Sequence, residues 1–160
     1  MEGRFSVVKV DGERQNVFGW AYVARNGDGA IIVDKQGDYV EPDDLEFTAY
    51  DFVLHSRASD VMHAEVTKAE LIESMMFTPE KLEKLGLPAG SLPIGWWTGF
   101  HVSDTEAWDG IRKGDYAAFS IGGSGTRVPV TLADGWLSPT STPSTPTRCR
   151  CSPSTSRRSR

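Results

Sequence analysis

The sequence has little of what membrane-spanning, secreted and metal-binding proteins require. None of its apolar runs approaches the ~20 residues that span a bilayer, and residues 1–5 are not followed by an apolar stretch with a small-residue cleavage site. The only two cysteines, Cys149 and Cys151, form a single Cys-x-Cys without a second ligand pair, which is weak evidence for a metal site. We therefore expect a cytoplasmic protein without a membrane segment, a metal or a cofactor.

Net charge is unevenly distributed between the last two dozen residues and the rest of the sequence. The net charge is −5, and all five charges in residues 138–160 are arginines, so residues 1–137 alone carry −10. A folded part this acidic repels phosphate backbones, which argues against a nucleic-acid partner. Because residues 136–160 consist almost entirely of Ser, Thr, Pro and Arg, they cannot bury enough apolar surface to offset their ordering entropy. We expect one domain over residues 1–135 and a disordered tail over residues 136–160.

Runs of β-branched and aromatic residues between turn residues predict several strands. These are residues 5–10, 16–23, 30–33, 95–102, 116–121 and 127–132. The turn Asn26-Gly27-Asp28-Gly29 predicts a hairpin between the second and third of them. Residues 68–77 fit a strand or a helix equally well.

Start and stop signals predict three helices, at residues 42–55, 78–86 and 103–114. Pro42 and the acids after it suit a first helical turn. Ser103 and Glu106 have capping-box spacing. Strands mixed with helices give an α+β class, with a sheet or barrel and helices outside it.

Few side chains stand in a setting typical of catalysis. The three histidines are His55, His63 and His101, and a lone histidine is more often a surface or packing residue than a catalyst. Ser120 ends an apolar strand directly before Ile121-Gly122-Gly123. Glycines let a substrate approach the backbone and offer N–H groups to a developing oxyanion. Many β-turns share this pattern, so by itself it is weak.

Several segments, taken in order, resemble the XkdF-type phage serine proteases, which are relatives of the prohead maturation proteases. The segments are VFGWA at 17–21, DKQGD at 34–38, AYDFVL at 49–54, MH at 62–63, LIES at 71–74, FTPEK at 77–81, GWWTGF at 95–100 and AFSIGG at 118–123. The resemblance covers about residues 15–129. The order and spacing of the segments make it far more specific than any one motif.

The resemblance implies a fold and a catalytic pair. The fold is a β-barrel or strongly curved antiparallel sheet flanked by helices, similar to the herpesvirus assembly proteases. The family's histidine falls on His63, the general base, and its serine on Ser120, the nucleophile.

The remaining catalytic groups are assigned by position only. Backbone N–H groups at Gly122 and Gly123, or a loop holding Arg127, are candidates for stabilising the oxyanion. The group that orients His63 is open between Glu65, Glu73 and His101.

The resemblance also implies partners and a place of action. The substrates would be phage scaffold and major capsid protein inside assembling proheads, in the cytoplasm of the bacterial host. A homo-oligomer is implied as well, because the herpesvirus relatives dimerise. The alternative is an inactive or truncated prophage homologue that serves as a structural, scaffold-like component of head assembly.

The tail suggests a change of reading frame. Similar proteins continue past Val130 into a strand resembling Asp-Glu-Val-Ser-Leu, where this chain has Thr147-Arg148-Cys149-Arg150-Cys151. The codons GAC GAG GTG TCG CTG T, read one base later, encode Thr-Arg-Cys-Arg-Cys. Val-Asp-Pro in the first frame is likewise compatible with Ser-Thr-Pro at residues 144–146. We hypothesise that the reading frame changes between about Thr131 and Thr140. The alternative hypothesis is that the Ser/Thr/Pro/Arg tail is native.

Overall fold

A computed structural model describes residues 7–34, 37–55, 58–60, 67–115, 125–129 and 147–151. Its strands are β1 (Val7–Asp11), β2 (Asn16–Arg25), β3 (Asp38–Tyr39), β4 (Ala58–Asp60), β5 (Thr67–Phe77), β6 (Ile94–Val102), β7 (Gly125–Pro129) and β8 (Thr147–Cys151). Its helices are α1 (Pro42–His55), α2 (Pro79–Lys84) and α3 (Thr105–Lys113). The mixture of strands and helices confirms the α+β class. No helix among the described residues is long and apolar enough to cross a membrane.

The larger sheet has five strands in the order β1-β2-β6-β5-β4, and all its neighbours are antiparallel. The central strand β6 pairs along most of its length with β2 and β5, as in the pairs Trp20↔Trp97 and Met75↔Trp97. In the described part of the chain β1 and β4 are the edges, so the sheet is open there. Closure into a barrel stays a prediction.

The smaller sheet has three strands in the order β3-β8-β7. The central strand β8 runs parallel to β3 and antiparallel to β7. It also contacts α1. The five residues Thr147–Cys151 therefore form a strand, although their composition predicted disorder. Pairing with β3, far away in the sequence, provides hydrogen bonds that composition does not reveal.

One face of the five-stranded sheet supports both long helices. Leu45 and Ala49 of α1 are buried in one cluster with Met76 and Trp96. Ala107 and Trp108 of α3 are buried in a second cluster with Phe100. Phe52 packs against both clusters and joins them. Trp96 is a core residue, 3% exposed.

The opposite face of this sheet carries aromatic rings laid over glycines. The Trp20 ring lies 5.4 Å from that of Phe77 and 5.5 Å from that of Trp97, centroid to centroid. A Cβ on Gly99 would lie 2.6 Å from the Phe18 ring, and one on Gly95 would lie 2.4 Å from the Tyr22 carbonyl oxygen. Glycine is therefore required at both positions for the rings and the neighbouring strand to approach β6 this closely.

The helix predictions are largely confirmed. α1 has the predicted limits, 42–55. Thr78 caps α2, and Gly114 ends α3 with a φ of 83°. The capping prediction for α3 is wrong by one residue, because the side chain of Asp104, not Ser103, accepts a hydrogen bond from the Ala107 N–H at 2.8 Å.

The hairpin predicted between residues 16–23 and 30–33 forms only next to its turn. Beyond the turn at Asn26–Gly29, the returning segment makes one antiparallel bridge, Arg25↔Ile31, and a hydrogen bond from the Ile32 N–H to the Ala24 carbonyl oxygen at 3.1 Å, but residues 30–33 do not form a regular strand. The chain then bends, because Asp34 binds the backbone of Asp38 through both its N–H and its carboxylate. The ambiguous residues 68–77 are a strand, since they fall within β5.

Thr98 offers a direct test of the core. Its side chain is fully buried, and within the described residues its Oγ1 has no hydrogen-bond partner. Replacing it with the isosteric valine removes a buried, unsatisfied hydroxyl, so we expect Thr98→Val to raise the free energy of unfolding by about 1–2 kcal/mol. This corresponds to a Tm increase of about 3–6 °C in thermal melting. Thr98→Ser, which keeps the hydroxyl and loses the methyl group, should lower Tm; a lower Tm for the valine variant would contradict the prediction.

Candidate active site

Most of the predicted catalytic residues lie outside the described residues. These are His63, Glu65, Ser120, Gly122 and Gly123. His63 and Glu65 belong to the six-residue connection between the paired strands β4 and β5, and Ser120 to the connection between α3 and β7. The elements around the two connections, together with Glu73 and His101, are described.

β5 and α3, which each adjoin one of the two connections, share one part of the core. Near the start of β5, Ala69 lies opposite Val102, the last residue of β6. α3 starts three residues after Val102, and its Ala107 and Trp108 are buried in one cluster with Ala69 and Val102. The strand that follows the His63 connection and the helix that precedes the Ser120 connection therefore pack together.

His101 lies at the end of the sheet where β5 begins, on the face opposite the helices. Its Nδ1 lies 3.0 Å from the Arg14 carbonyl oxygen and 3.0 Å from Asn16 Oδ1. The Arg14 carbonyl oxygen can only accept, so Nδ1 donates in this contact; in a ring with one proton, Nε2 is then an acceptor. A ring held in this tautomer can accept a hydrogen bond from another histidine.

Glu73 lies farther along the sheet. Its Oε1 accepts a hydrogen bond from Trp97 Nε1 at 2.9 Å. Glu73 is opposite Gly99, and His101 is opposite Glu70. Gly99 and His101 are two residues apart on β6, about 7 Å of strand, so Glu73 is farther than His101 from the end where the connection with His63 begins.

Sequence reasoning missed the residues that hold His101. Asn16 on β2 and the Arg14 carbonyl are its hydrogen-bond partners, and Glu70 on β5 is its cross-strand neighbour. Their sequence separations from His101 differ widely, and only the register of β2, β5 and β6 brings them together. The described residues contain no group of three or more His, Cys, Asp or Glu side chains that could hold a metal ion.

Comparison with known protein families identifies the family of this chain. Residues 5–129 match the family model described as "Putative phage serine protease XkdF". The chain belongs to this family. No curated protein and no solved structure matches it.

The first and last residues of the XkdF family match show which parts of the chain it includes. It spans the positions of both His63 and Ser120 and ends at Pro129, the last residue of β7. β8 lies beyond it, in the arginine-containing tail. The resemblance read from the sequence motifs is therefore confirmed at the level of the family.

Proposed function

We propose that this XkdF-family chain is a serine endopeptidase of phage capsid maturation, which cleaves scaffold and major capsid protein within assembling proheads. The observation that carries the proposal is the family match, which spans the positions of His63 and Ser120. The antiparallel sheet with helices on one face is consistent with the α+β class that the resemblance implies. A closed barrel, with strands from outside the described residues, is part of this proposal.

The proposed chemistry needs only side chains and backbone. His63 takes the hydroxyl proton of Ser120 as Ser120 attacks the peptide carbonyl, and it later returns a proton to the leaving amine. Backbone N–H groups of Gly122 and Gly123 would stabilise the oxyanion. Water then hydrolyses the acyl-enzyme by the same steps, with His63 again the base.

For the third catalytic position we favour His101 over Glu73. His101 is at the end of the sheet where β5 begins, and its Nδ1 contacts leave Nε2 as an acceptor for a ring N–H of His63. Glu73 is farther along β5 and its Oε1 already accepts the Trp97 indole N–H. Glu65, two residues from His63 in sequence, remains the competing candidate.

Replacing His101 should separate these candidates. We expect His101→Ala to lower kcat/KM by about 10²–10⁴-fold, because His63 loses the group that fixes its tautomer. The ascending limb of the pH profile should also shift, because His63 would lose its hydrogen bond to His101, and this bond influences the protonation of His63. Glu73→Gln, whose amide oxygen can still accept the Trp97 bond, is the matched control and should change neither. An unchanged pH profile for His101→Ala, with a large effect of Glu65→Ala, would transfer the role to Glu65.

The proposal as a whole is tested by co-expressing the 160-residue chain with the major capsid and scaffold proteins of the same phage. Intact-mass analysis should show defined fragments of one or both proteins. A parallel culture with Ser120→Ala should yield only full-length masses. Fragments that persist with alanine would be products of a host protease and would overturn the proposal.

The altered tail favours a second candidate for this particular chain, an inactive homologue that acts as a structural component of the head. It predicts that the folded chain co-purifies with capsid protein while every mass stays intact. In that case, the same experiment gives a complex without fragments.

We also propose that the residues after about Thr131–Thr140 are read out of frame. In support, β8 consists of Thr147–Cys151, the same five residues that the other frame would encode as Asp-Glu-Val-Ser-Leu. Positions 149 and 151 hold cysteine in this frame and would hold valine and leucine, residues suited to a strand, in the other frame. Stop codons in the other frame before residue 147 would refute the idea directly from the gene sequence.

A further inference from the structure

The turn that joins β1 to β2 supplies both hydrogen-bond partners of the His101 ring. β1 ends at Asp11 and β2 begins at Asn16. The Arg14 carbonyl oxygen and Asn16 Oδ1 each lie 3.0 Å from His101 Nδ1. The two partners therefore belong to one short segment of the chain, and the residue between them is Gln15.

Gln15 has an unusual backbone conformation. Its φ is 54°, and among the described residues it is the only one besides glycines with a positive φ. The Cβ of other residues disfavours this left-handed conformation, so glycine is the usual residue there. The turn does contain a glycine, Gly12, but Gly12 does not have a positive φ. Strained backbone of this kind is found where surrounding contacts hold it, often at functional sites.

The contacts that hold Gln15 are made with the last two residues of β6. Its carbonyl oxygen accepts a hydrogen bond from the Val102 N–H at 2.8 Å, while its two neighbours in sequence bind His101. The φ angle of Gln15 is the rotation about its N–Cα bond, so it sets the direction of the Arg14 carbonyl relative to Asn16. A negative φ would turn this carbonyl away from His101 Nδ1.

The same contacts determine which nitrogen of His101 carries the proton. Nδ1 donates to the Arg14 carbonyl, so in a ring with one proton Nε2 is an acceptor. Glu70, the cross-strand neighbour of His101 on β5, makes neither of the bonds to Nδ1. The tautomer is therefore determined from the side of β2 and its turn.

We propose that Gln15 and Asn16 are positioning residues, which hold His101 in the tautomer that leaves Nε2 as an acceptor. The strain at Gln15 then belongs to a ring that is oriented before any substrate binds, as a preorganised site requires. The tautomer is a property of His101 alone. Its consequence for catalysis rests on the proposed function, in which His63 uses that acceptor.

NMR spectra of the full chain labelled with ¹⁵N-histidine test the tautomer directly, because protonated and unprotonated ring nitrogens have widely separated ¹⁵N shifts. The spectra are recorded at about pH 8.5, well above the ordinary pKa of histidine. His101→Gln identifies the signals of His101 among those of the three histidines. In the original chain, the His101 ring should carry its proton on Nδ1.

Matched substitutions in the turn test the roles of its residues. Gln15→Val should lower the ratio of the Nδ1–H to the Nε2–H tautomer at least about tenfold, because a β-branched residue disfavours a positive φ. Gln15→Gly should keep the original ratio, since glycine adopts a positive φ freely. Asn16→Leu should also lower the ratio, whereas Asn16→Asp retains an acceptor and should keep it high. Glu13→Val, at an exposed turn position without a positive φ, is the control for valine in this turn.

The consequence for catalysis is measured with the same proteins. If the original chain cleaves capsid or scaffold protein, Gln15→Val should lower kcat/KM by about 10–10²-fold, because a misplaced catalytic group loses this much. Glu13→Val should cleave at the original rate.

Three results would overturn the proposal. The first is a His101 ring that carries its proton mainly on Nε2. The second is an unchanged tautomer ratio in both Gln15→Val and Asn16→Leu, with circular dichroism showing that they fold. The third is a shifted tautomer in Gln15→Val without any loss of cleavage. If Gln15→Val does not fold, Asn16→Leu decides. A tautomer that responds as expected in a chain that cleaves nothing would support the role of the turn and contradict the proposed function.

Discussion

Ser120→Ala should abolish cleavage of scaffold and capsid protein, lowering kcat/KM by on the order of 10⁴–10⁶-fold. Alanine removes the attacking oxygen and changes little else in volume, so the fold should survive. Cleavage is followed by the mass of the fragments over time, with purified capsid protein as substrate. The matched control is Ser124→Ala, four residues later in the same connection, which should cleave at the wild-type rate.

The pairing of Ser120 with His63 makes a sharper prediction than either residue alone. Residues that act as one unit are strongly non-additive, so His63→Ala and the double variant H63A/S120A should each lose about as much activity as S120A. His55→Ala, at the exposed end of α1, is the control for a histidine substitution. If Ser124→Ala were as inactive as Ser120→Ala, or if losses at His63 and Ser120 multiplied, the proposed pair would be wrong.

Restoring the other reading frame over β8 should stabilise the protein. The variant T147D/R148E/C149V/R150S/C151L replaces Cys149 with valine and Cys151 with leucine. Both substitutions add methyl or methylene groups, and each one that becomes buried on folding contributes about 0.8 kcal/mol, so we expect the free energy of unfolding to rise by about 1–3 kcal/mol. Thermal melting should show a Tm increase of about 3–10 °C.

A slipped version of the same sequence serves as the control. In T147D/R148V/C149E/R150L/C151S, the composition is unchanged but valine and leucine move to the other side of the strand, because side chains alternate with a period of two. This variant should be no more stable than the original chain. Equal stabilisation by both variants would mean that composition, and not the restored strand, is responsible.

Local signals predicted β1, β2, β6 and the three helices because those elements depend on local physics, whereas β4 was not predicted and residues 68–77 of β5 were left open between strand and helix. α1 begins at Pro42 with acids in its first turn and repeats apolar residues at helical spacing, so both its ends were predictable. β6 is an aromatic run bounded by glycine, a pattern that predicts a strand. A regular strand does not form at 30–33, although its residues suit one, because the contacts of Asp34 with Asp38 bend the chain. The pairing with β2 therefore ends after Ile32.

The features that could not be predicted from the sequence depend on strand pairing between distant residues. The contacts of His101 with Arg14 and Asn16 follow from the register of β2 against β6, which no local window contains. β8 is a strand because β3 and β7 flank it, whereas its own composition indicates disorder. For the candidate site, the pattern around Ser120 is shared with many turns. The family match spans both positions without singling out any residue, so the roles of His63 and Ser120 stay predictions.

The parallel pairing of β3 with β8 has a consequence for synthesis of the chain. Asp38 and Thr147 are more than a hundred residues apart, so the smaller sheet cannot form before residues 147–151 have left the ribosome. Every strand of the larger sheet has been synthesised by Val102, and that sheet can begin to fold much earlier. A change of reading frame after about Thr131 would therefore leave the strands of the five-stranded sheet unchanged and would alter β8, which is synthesised after them.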